Sequence, residues 1–553
     1  MTVKNLLAEV IRNAVINAQR EGLFAEAELP EIIIERPQNT KHGDYASSLP
    51  LKLASAFKLA PAVIAKTIID NISPIPEIDR VDVAAPGFIN LTLSPAWLSQ
   101  QVDEILNDGD VYGSVDTGNN RSVQIEFVSG NPTGPLHVGH GRGAVLGSTL
   151  ANVLSAAGYK VQKEYYLNDT GSQLDAFNRS LYVRYQQGLG IDATMPDDGY
   201  MGHYMTELAG EIIAVEGDRF LKSQEEDAVK KLGLLGMEKV VEMIKDSLQA
   251  LGVEFDLWFS EKSLYEGGLF DKVMGLLKDN GHVTKRDDAV WFVSSALGED
   301  KDNVLIRSDG TPTYFASDVT YHFNKFAERH FDSVINIWGA DHQGHVSRMK
   351  AVLGALGIDP DRLYILVYQL VTLRRGNDIV RISKRSGDII TLNEVIEEVG
   401  ADACRFVFLS RSADSQMDFD LELAKKQSSD NPVYYVQYAH ARIASILGVA
   451  RKNGAGYNDG DTSLLTTEPE LTLIKQMIKL PEIVELVAAT FEPHHLPHYA
   501  QELATVFHSF YKQCRVVSED KELSAARLKL VKAAKIVLAN TLHLMGMTSP
   551  DHM

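Results

Sequence analysis

Cysteine is almost absent: the 553 residues contain two, Cys404 and Cys514, far apart and in no paired spacing. That composition argues against a disulfide framework and against a cysteine-based zinc site. No structural zinc and no dedicated metal ligands are therefore expected, and a cytoplasmic location is the default. Long apolar runs are missing too. The longest, around "LYILVYQLVTL", is far short of the roughly 20 residues needed to span a bilayer, so no membrane partner is expected. The opening "MTVKNLLAEVIRNAVINAQREG" has neither a continuous apolar stretch nor a small-residue cleavage site, and reads as an amphipathic surface helix. Positive charge is scarce, with 54 Lys and Arg against 74 Asp and Glu, a formal net charge of −20. A uniformly basic nucleic-acid-binding surface is excluded, whereas a local basic stripe on an acidic remainder is not. There is no fixed-period repeat and no complete G-x-G-x-x-G dinucleotide fingerprint.

What is present is enough chain for three or four domains. Residues 1–108 alternate short helical and strand-like patterns and end before a Gly/Asp/Asn-rich linker, "NDGDVYGSVDTGNN". In "RSVQIEFVSG", Val123, Ile125 and Phe127 alternate with Gln124 and Glu126, which predicts a strand. The Gly/Pro-rich loop "GNPTGPLHVGHGRG" (130–143) follows. "GAVLGSTLANVLSAAG" predicts a helix with Gly158 at its end, and "YKVQKEYYLND" a second strand. Strand, loop, helix, strand is a βαβ unit, whose ligands bind beyond the carboxyl ends of the strands. A mainly helical pattern from about 187 to 300 suits an insertion. The sheet pattern then returns, so that residues 115–390 form one α/β domain. From 391 to 553 the pattern is helical, beginning with a capping box at Thr391–Glu394.

The loop has three readings: a degenerate dinucleotide site, a structural Gly-Pro turn with packing histidines, or a nucleotide site of H-x-G-H form. In the last, the imidazoles of His137 and His140 sit at a helix N-terminus, where they and the helix dipole stabilise charge developing on a phosphate, and Gly139 leaves bare backbone for a base. A second segment, Arg381-Ile382-Ser383-Lys384-Arg385, offers a point charge, Lys384, for a departing pyrophosphate.

His137-Val138-Gly139-His140 and Arg381-Ile382-Ser383-Lys384-Arg385 together resemble the two signature motifs, HIGH and KMSKS, of the class I aminoacyl-tRNA synthetases. Arg and Ile stand here in place of the leading Lys and the Met. Within that class the chain resembles the arginyl-tRNA synthetases over essentially its whole length, in "HGDYASSLPLKLA", "PGFINLTL", "IEFVSGNPTGPLHVGH", "GADHQGH", "NPVYYVQYAHARIASI" and the closing "LANTLHLMGMTSPDHM". The resemblance implies a Rossmann-like, doubly wound parallel sheet, an α+β N-terminal domain that contacts tRNA, and an all-helical anticodon-binding domain. It implies ATP-dependent ligation of L-arginine to tRNA(Arg) through an arginyl-adenylate. Mg2+ would accompany the ATP, and the enzyme would be a cytoplasmic monomer. The alternative is another H-x-G-H adenylating enzyme of the same superfamily with a different acceptor.

The residue roles it implies are specific. His137, His140 and Lys384 are catalytic, and Gly139, His140, Arg381, Ser383 and Lys384 contact ATP. Glu126, Tyr314 and Asp318 bind the arginine side chain, while Asn131, His137 and Gln343 hold its amino and carboxylate ends. Tyr435 and Tyr438 stack on anticodon bases. Read without the family, Glu126 is equally a surface strand-end carboxylate, Asp318 a helix-start acid, and Tyr314, Tyr435 and Tyr438 packing aromatics. Asn168, Asp169 and Gln173, in "YYLNDTGSQ", end the second strand on the same rim.

Overall fold

The structure is a computed structural model and describes residues 2–381 and 389–553. The N-terminal helix, Val3–Arg20, starts at Thr2, whose hydroxyl accepts from the Asn5 amide. It buries Leu7, Ile11, Ala14, Val15 and Ala18, the i, i+4, i+7, i+8 stripe of an amphipathic helix. It packs with two short helices against an antiparallel sheet ordered Ile34–Glu35, Tyr45–Ser47, Phe88–Leu93, Ile78–Ala84.

The central sheet has five strands, each paired in parallel with its neighbours, in the order Leu363–Tyr368, Ser333–Gly339, Ser122–Glu126, Lys160–Leu167, Leu257–Ser260. Counted along the chain this is 5-4-1-2-3, the doubly wound arrangement, and it reverses direction between Ser122–Glu126 and Ser333–Gly339. The predicted helix follows the first strand as Val138–Ala156, and Gly158 leaves it with φ +84°. All of Val123–Glu126 is buried. The alternation that marks the strand therefore does not mean one wet face: the strand is central, and its two polar residues lie inside.

Two expectations about composition change. The segment from about 187 to 300 contains the long helices His203–Glu216 and Glu225–Ala250, but it also supplies the edge strand Leu257–Ser260 of the main sheet. It further supplies Val283–Arg286 and Ala289–Phe292, which pair with each other, the latter also with Asn303–Ile306, in a small antiparallel sheet. Beyond residue 391 the chain is not all helical. Met417–Asp420 pairs in parallel with Val371–Arg375. Only four residues long, with Met417 and Phe419 buried, it is too short for its period of two to stand out.

The C-terminal helices include Pro432–Lys452, Leu480–Thr490, His495–Gln513 and Lys521–Leu544. They pack against the N-terminal domain through the apolar face of its helix Pro95–Asp108, which buries Leu98, Val102 and Ile105, and clasp it further through polar groups. Glu482, nearly buried, accepts from the Tyr45 hydroxyl at 2.5 Å and from the Arg36 guanidinium at 3.1 Å. Lys475 meets Asp44 at 2.8 Å. Arg405, also buried, joins the helical part to the catalytic helix, donating to the Ser148 hydroxyl at 2.8 Å and to the Met545 carbonyl at 2.6 Å.

Candidate active site at the sheet reversal

The loops leaving Ser122–Glu126 and Ser333–Gly339 meet where the strand order reverses. His137 is the N-cap of the first crossover helix. Its Nδ1 accepts from the Gly139 amide at 3.1 Å, and His140 Nδ1 accepts from the His137 amide at 3.3 Å, a reciprocal capping box made of two imidazoles. The rings stack at 3.8 Å. With both Nδ1 atoms accepting, the ring protons belong on Nε2. Burial lowers the pKa of His137; burial and the neighbouring His137 push that of His140 down to about 3. The pair therefore acts as neutral hydrogen-bond donors at physiological pH, not as the cations that a phosphate site first suggests.

The glycines of this segment do more than expose backbone. A Cβ on Gly139 would meet only the His137 ring, at 2.9 Å, leaving the rest of that surface open. Gly141, Gly143 and Gly147 serve packing: a Cβ would lie 2.6 Å from Leu392 Cδ1, 2.9 Å from the Tyr368 hydroxyl and 2.2 Å from Phe127 Cγ, respectively. Arg142 on the same helix is wholly buried. It donates to the carbonyls of Gln369, Ser412 and Ser415 at 2.7–2.9 Å, fixing the helix to both loops.

Carboxylates gather on the other side of the reversal. Glu126 does not present a free charge. Lys325 Nζ, fully buried, lies 2.6 Å from its Oε2 and 3.0 Å from Asn336 Oδ1, and the Ser129 hydroxyl donates to Oε1 at 3.0 Å. The backbone turns sharply to allow this, with Val128 at φ +69° and Ser129 at φ +42°. For a β-branched valine that conformation costs about 1–3 kcal/mol. Asp318, one helical turn after Tyr314, has no hydrogen-bond donor among the described residues. Burial, then Glu126 and Glu261, push its pKa up to about 7, only partly opposed by Lys325 and Arg348. Glu261 is buried and raised as well, through burial first. Tyr314 is 46% exposed, and its hydroxyl points toward Gly171. Asp318 thus sits in the field of two further carboxylates, with Lys325 and Arg348 opposing them only in part.

Asn131 lies on the rim, its amide in contact with those of Gln173 (2.5 Å) and Asn168 (3.2 Å). Asn168, with its amide nitrogen turned inward, reaches Glu261 Oε2 at 2.7 Å. Asp169 accepts from the Ser260 hydroxyl at 2.5 Å and the Lys262 amide at 3.0 Å, which holds the end of Leu257–Ser260 in place. A cleft of about 760 Å³ opens beside Asn131, His137 and His140, and is closed by Tyr204 and Thr391. From the helical insertion, Tyr204 donates to the Thr133 carbonyl at 2.6 Å.

The structure does not bring every expected residue together. Gln343 is exposed in the turn Ala340–His345, without a contact to Tyr314 or Asp318. Arg381 is exposed, and Ser383 and Lys384 lie outside the described residues. Far from the sheet, Tyr435 and Tyr438 both approach His508, at 5.0 and 6.0 Å. Tyr435 is half-buried, while Tyr438 is exposed and stacks on Tyr434 at 5.8 Å. Tyr204, Glu261 and Lys325 have no sequence motif to announce them, and Ser129 and Arg142 lie within the quoted motifs without a role of their own being legible there. A helix-face lysine such as Lys325 ordinarily reads as solvated.

Three family profiles match in succession: "Arginyl tRNA synthetase N terminal domain" over residues 2–93, "tRNA synthetases class I (R), catalytic domain" over 101–443, and "DALR anticodon binding domain" over 436–553. An arginine–tRNA ligase of Dehalococcoides mccartyi is 58% identical over 553 residues, covering 100% of this chain and 99% of its own. The chain belongs to the arginine–tRNA ligase family. Another member, from Syntrophotalea carbinolica, is 49% identical over the full length of both chains. The arginyl-tRNA synthetase of Thermus thermophilus superposes over the whole of both chains with a TM-score of 0.78 and 22% identity, a likeness of fold. The class I catalytic domain carries ATP use with it, and among the described residues no helix is long and apolar enough to cross a membrane.

Proposed function

We propose that the protein activates L-arginine with ATP and transfers it to tRNA(Arg). The observation that carries the choice of amino acid is the group of carboxylates around Asp318: it has no donor among the described residues, and burial, then Glu126 and Glu261, raise its pKa to about 7. A guanidinium, planar and permanently charged, supplies the missing cation with bidentate geometry. Glu126, whose charge Lys325 already offsets, shapes the field around Asp318 and orients the pocket; Tyr314 covers it. Asn131 and His137 hold the α-amino and carboxylate ends, with Gln343 reaching them from its turn.

The arginine carboxylate oxygen attacks the α-phosphorus of ATP, the bond to the pyrophosphate oxygen breaks, and arginyl-adenylate forms. His137 and His140 donate from Nε2 to phosphate oxygens as charge grows there. As neutral donors fixed by the capping box they need no reorganisation during the step. Gly139 lets the nucleotide lie against backbone, and Arg381, Ser383 and Lys384 meet the departing pyrophosphate. Mg2+ enters as part of the ATP substrate, since no carboxylate cage lies beside the imidazoles among the described residues. The terminal 2′-hydroxyl of tRNA then attacks the adenylate carbonyl and AMP leaves. Tyr435 and Tyr438, with Tyr434, offer the aromatic face for anticodon bases. The reading includes a monomer, and the low cysteine content suits the cytoplasm.

Pyrophosphate exchange with each amino acid in turn, with and without tRNA, tests this reading. Exchange with arginine alone, appearing when tRNA(Arg) is added, is expected. Exchange driven equally well by lysine would refute the pocket assignment.

A further inference from the structure

The scarcity of cysteine leaves imidazole sites untouched, and one cluster of them takes no part in the chemistry described above. Helix Leu480–Thr490 ends at Phe491, which adopts φ +58°, and the next helix, His495–Gln513, begins at the last residue of "EPHH". We propose that Glu492, His494 and His495 in this turn form a binding site for a borderline divalent cation of the zinc class.

One donor atom from each of the three side chains falls within 4.8 Å of the others. His495 Nε2 and Glu492 Oε2 are 3.3 Å apart. Ligands held at roughly 2.0–2.2 Å in a tetrahedron stand about 3.3–3.6 Å from one another, so that pair is already at coordination spacing and His494 closes by a small side-chain rotation. The His494 and His495 rings lie 4.3 Å apart. His494 Nδ1 is buried and has no hydrogen-bond partner among the described residues, an arrangement that native interiors rarely leave without a purpose. His498, one turn further on, has its ring 5.7 Å from that of His494, and Asp414 adds negative charge nearby. Two imidazoles and a carboxylate with an open fourth position make a donor set that prefers zinc-like ions to Mg2+ or Ca2+.

The position gives the site a consequence. Phe491 packs edge-on against Tyr364 of the outer strand Leu363–Tyr368, at 5.0 Å. A bound ion would lock the turn that presents Phe491, fastening the helical domain to the rim of the catalytic sheet.

The test uses untagged, full-length protein stripped of metal with a chelator and titrated calorimetrically with ZnCl2, and separately with Co2+ followed by its visible absorption. One equivalent of Zn2+ per chain is expected, with a Co2+ spectrum of nitrogen and oxygen ligation and a rise in Tm on adding zinc. His494→Gln and His495→Gln should each weaken binding by at least about tenfold. Because His494 is half-buried, Glu492→Gln and His495→Gln carry the test should His494→Gln fail to fold, as judged by the circular dichroism of the stripped proteins. His137 and His140 remain in every variant. Binding that survives unchanged in His495→Gln and Glu492→Gln, or no binding by the wild-type protein, would overturn the proposal.

Discussion

Lowering the pH from 8 to 6 should loosen arginine binding about tenfold, through Asp318. Its pKa in the empty pocket is raised from 3.8 to about 7, by burial first and then by Glu126 and Glu261. In the free protein this shift opposes folding: stability is given up as the pH climbs from the ordinary carboxyl value toward 7. Arginine reverses the balance, because its guanidinium favours the ionised carboxylate and lowers the pKa. Binding is therefore tightest above pH 7 and must release a proton below it. With a pKa near 7, roughly nine-tenths of the carboxyl is ionised at pH 8 and one-tenth at pH 6, hence the tenfold change. The imidazole pair does not blur the window, since His137 is lowered and His140 lies at about 3, while Glu261 is shifted in the same direction as Asp318. Calorimetric titration of the enzyme with arginine at several pH values, in buffers of different ionisation enthalpy, measures both affinity and proton release. Asp318→Asn should bind weakly, by about 2–5 kcal/mol at pH 8, and lose the pH dependence. A wild-type Kd that is the same at pH 6 and 8, with buffer-independent heats, would refute the reasoning.

Two further substitutions probe the supports of the site. Lys325→Met strands the buried Glu126 carboxylate and should cost about 3–5 kcal/mol of stability in denaturant unfolding. Adding Glu126→Gln should recover a substantial part of that loss, and a double variant no more stable than Lys325→Met would contradict the ion-pair account. Tyr204→Phe removes the hydrogen bond to the Thr133 carbonyl, about 0.5–1.5 kcal/mol of positioning, and should lower aminoacylation kcat/KM by roughly three- to tenfold. An unchanged rate would mean that the insertion does not position the loop.

Local pattern made the βαβ start legible, because a strand, a Gly/Pro loop and a capped helix each announce themselves within a dozen residues. What pattern could not supply is partnership at a distance. Lys325 looks like any exposed helical lysine until the fold brings it to Glu126, 199 residues earlier in the chain. Glu126 itself reads as an open carboxylate for the same reason. The glycines were legible as a need for close approach, but the neighbours approached at Gly141, Gly143 and Gly147 are Leu392, Tyr368 and Phe127, protein as well as ligand. A boundary placed at residue 391 follows the onset of helical periodicity. It cuts through a unit that Arg142 assembles from Gln369, Ser412 and Ser415 and that Met417–Asp420 completes as a strand. Four residues of alternation are too few to detect against a helical background.

The clasp between the N-terminal domain and the last helices has a consequence for synthesis. Arg36 and Tyr45 precede their shared partner Glu482 by 446 and 437 residues. At roughly 5–20 residues per second, the first domain waits on the order of 20–90 s on the ribosome before Glu482 exists. An apolar docking face would be exposed for that whole interval and invite aggregation. A guanidinium, a phenol and Asp44 can be hydrated meanwhile, so this polar part of the clasp waits wetted, and the apolar face left to shelter until the end of the chain arrives is narrowed to that of Pro95–Asp108.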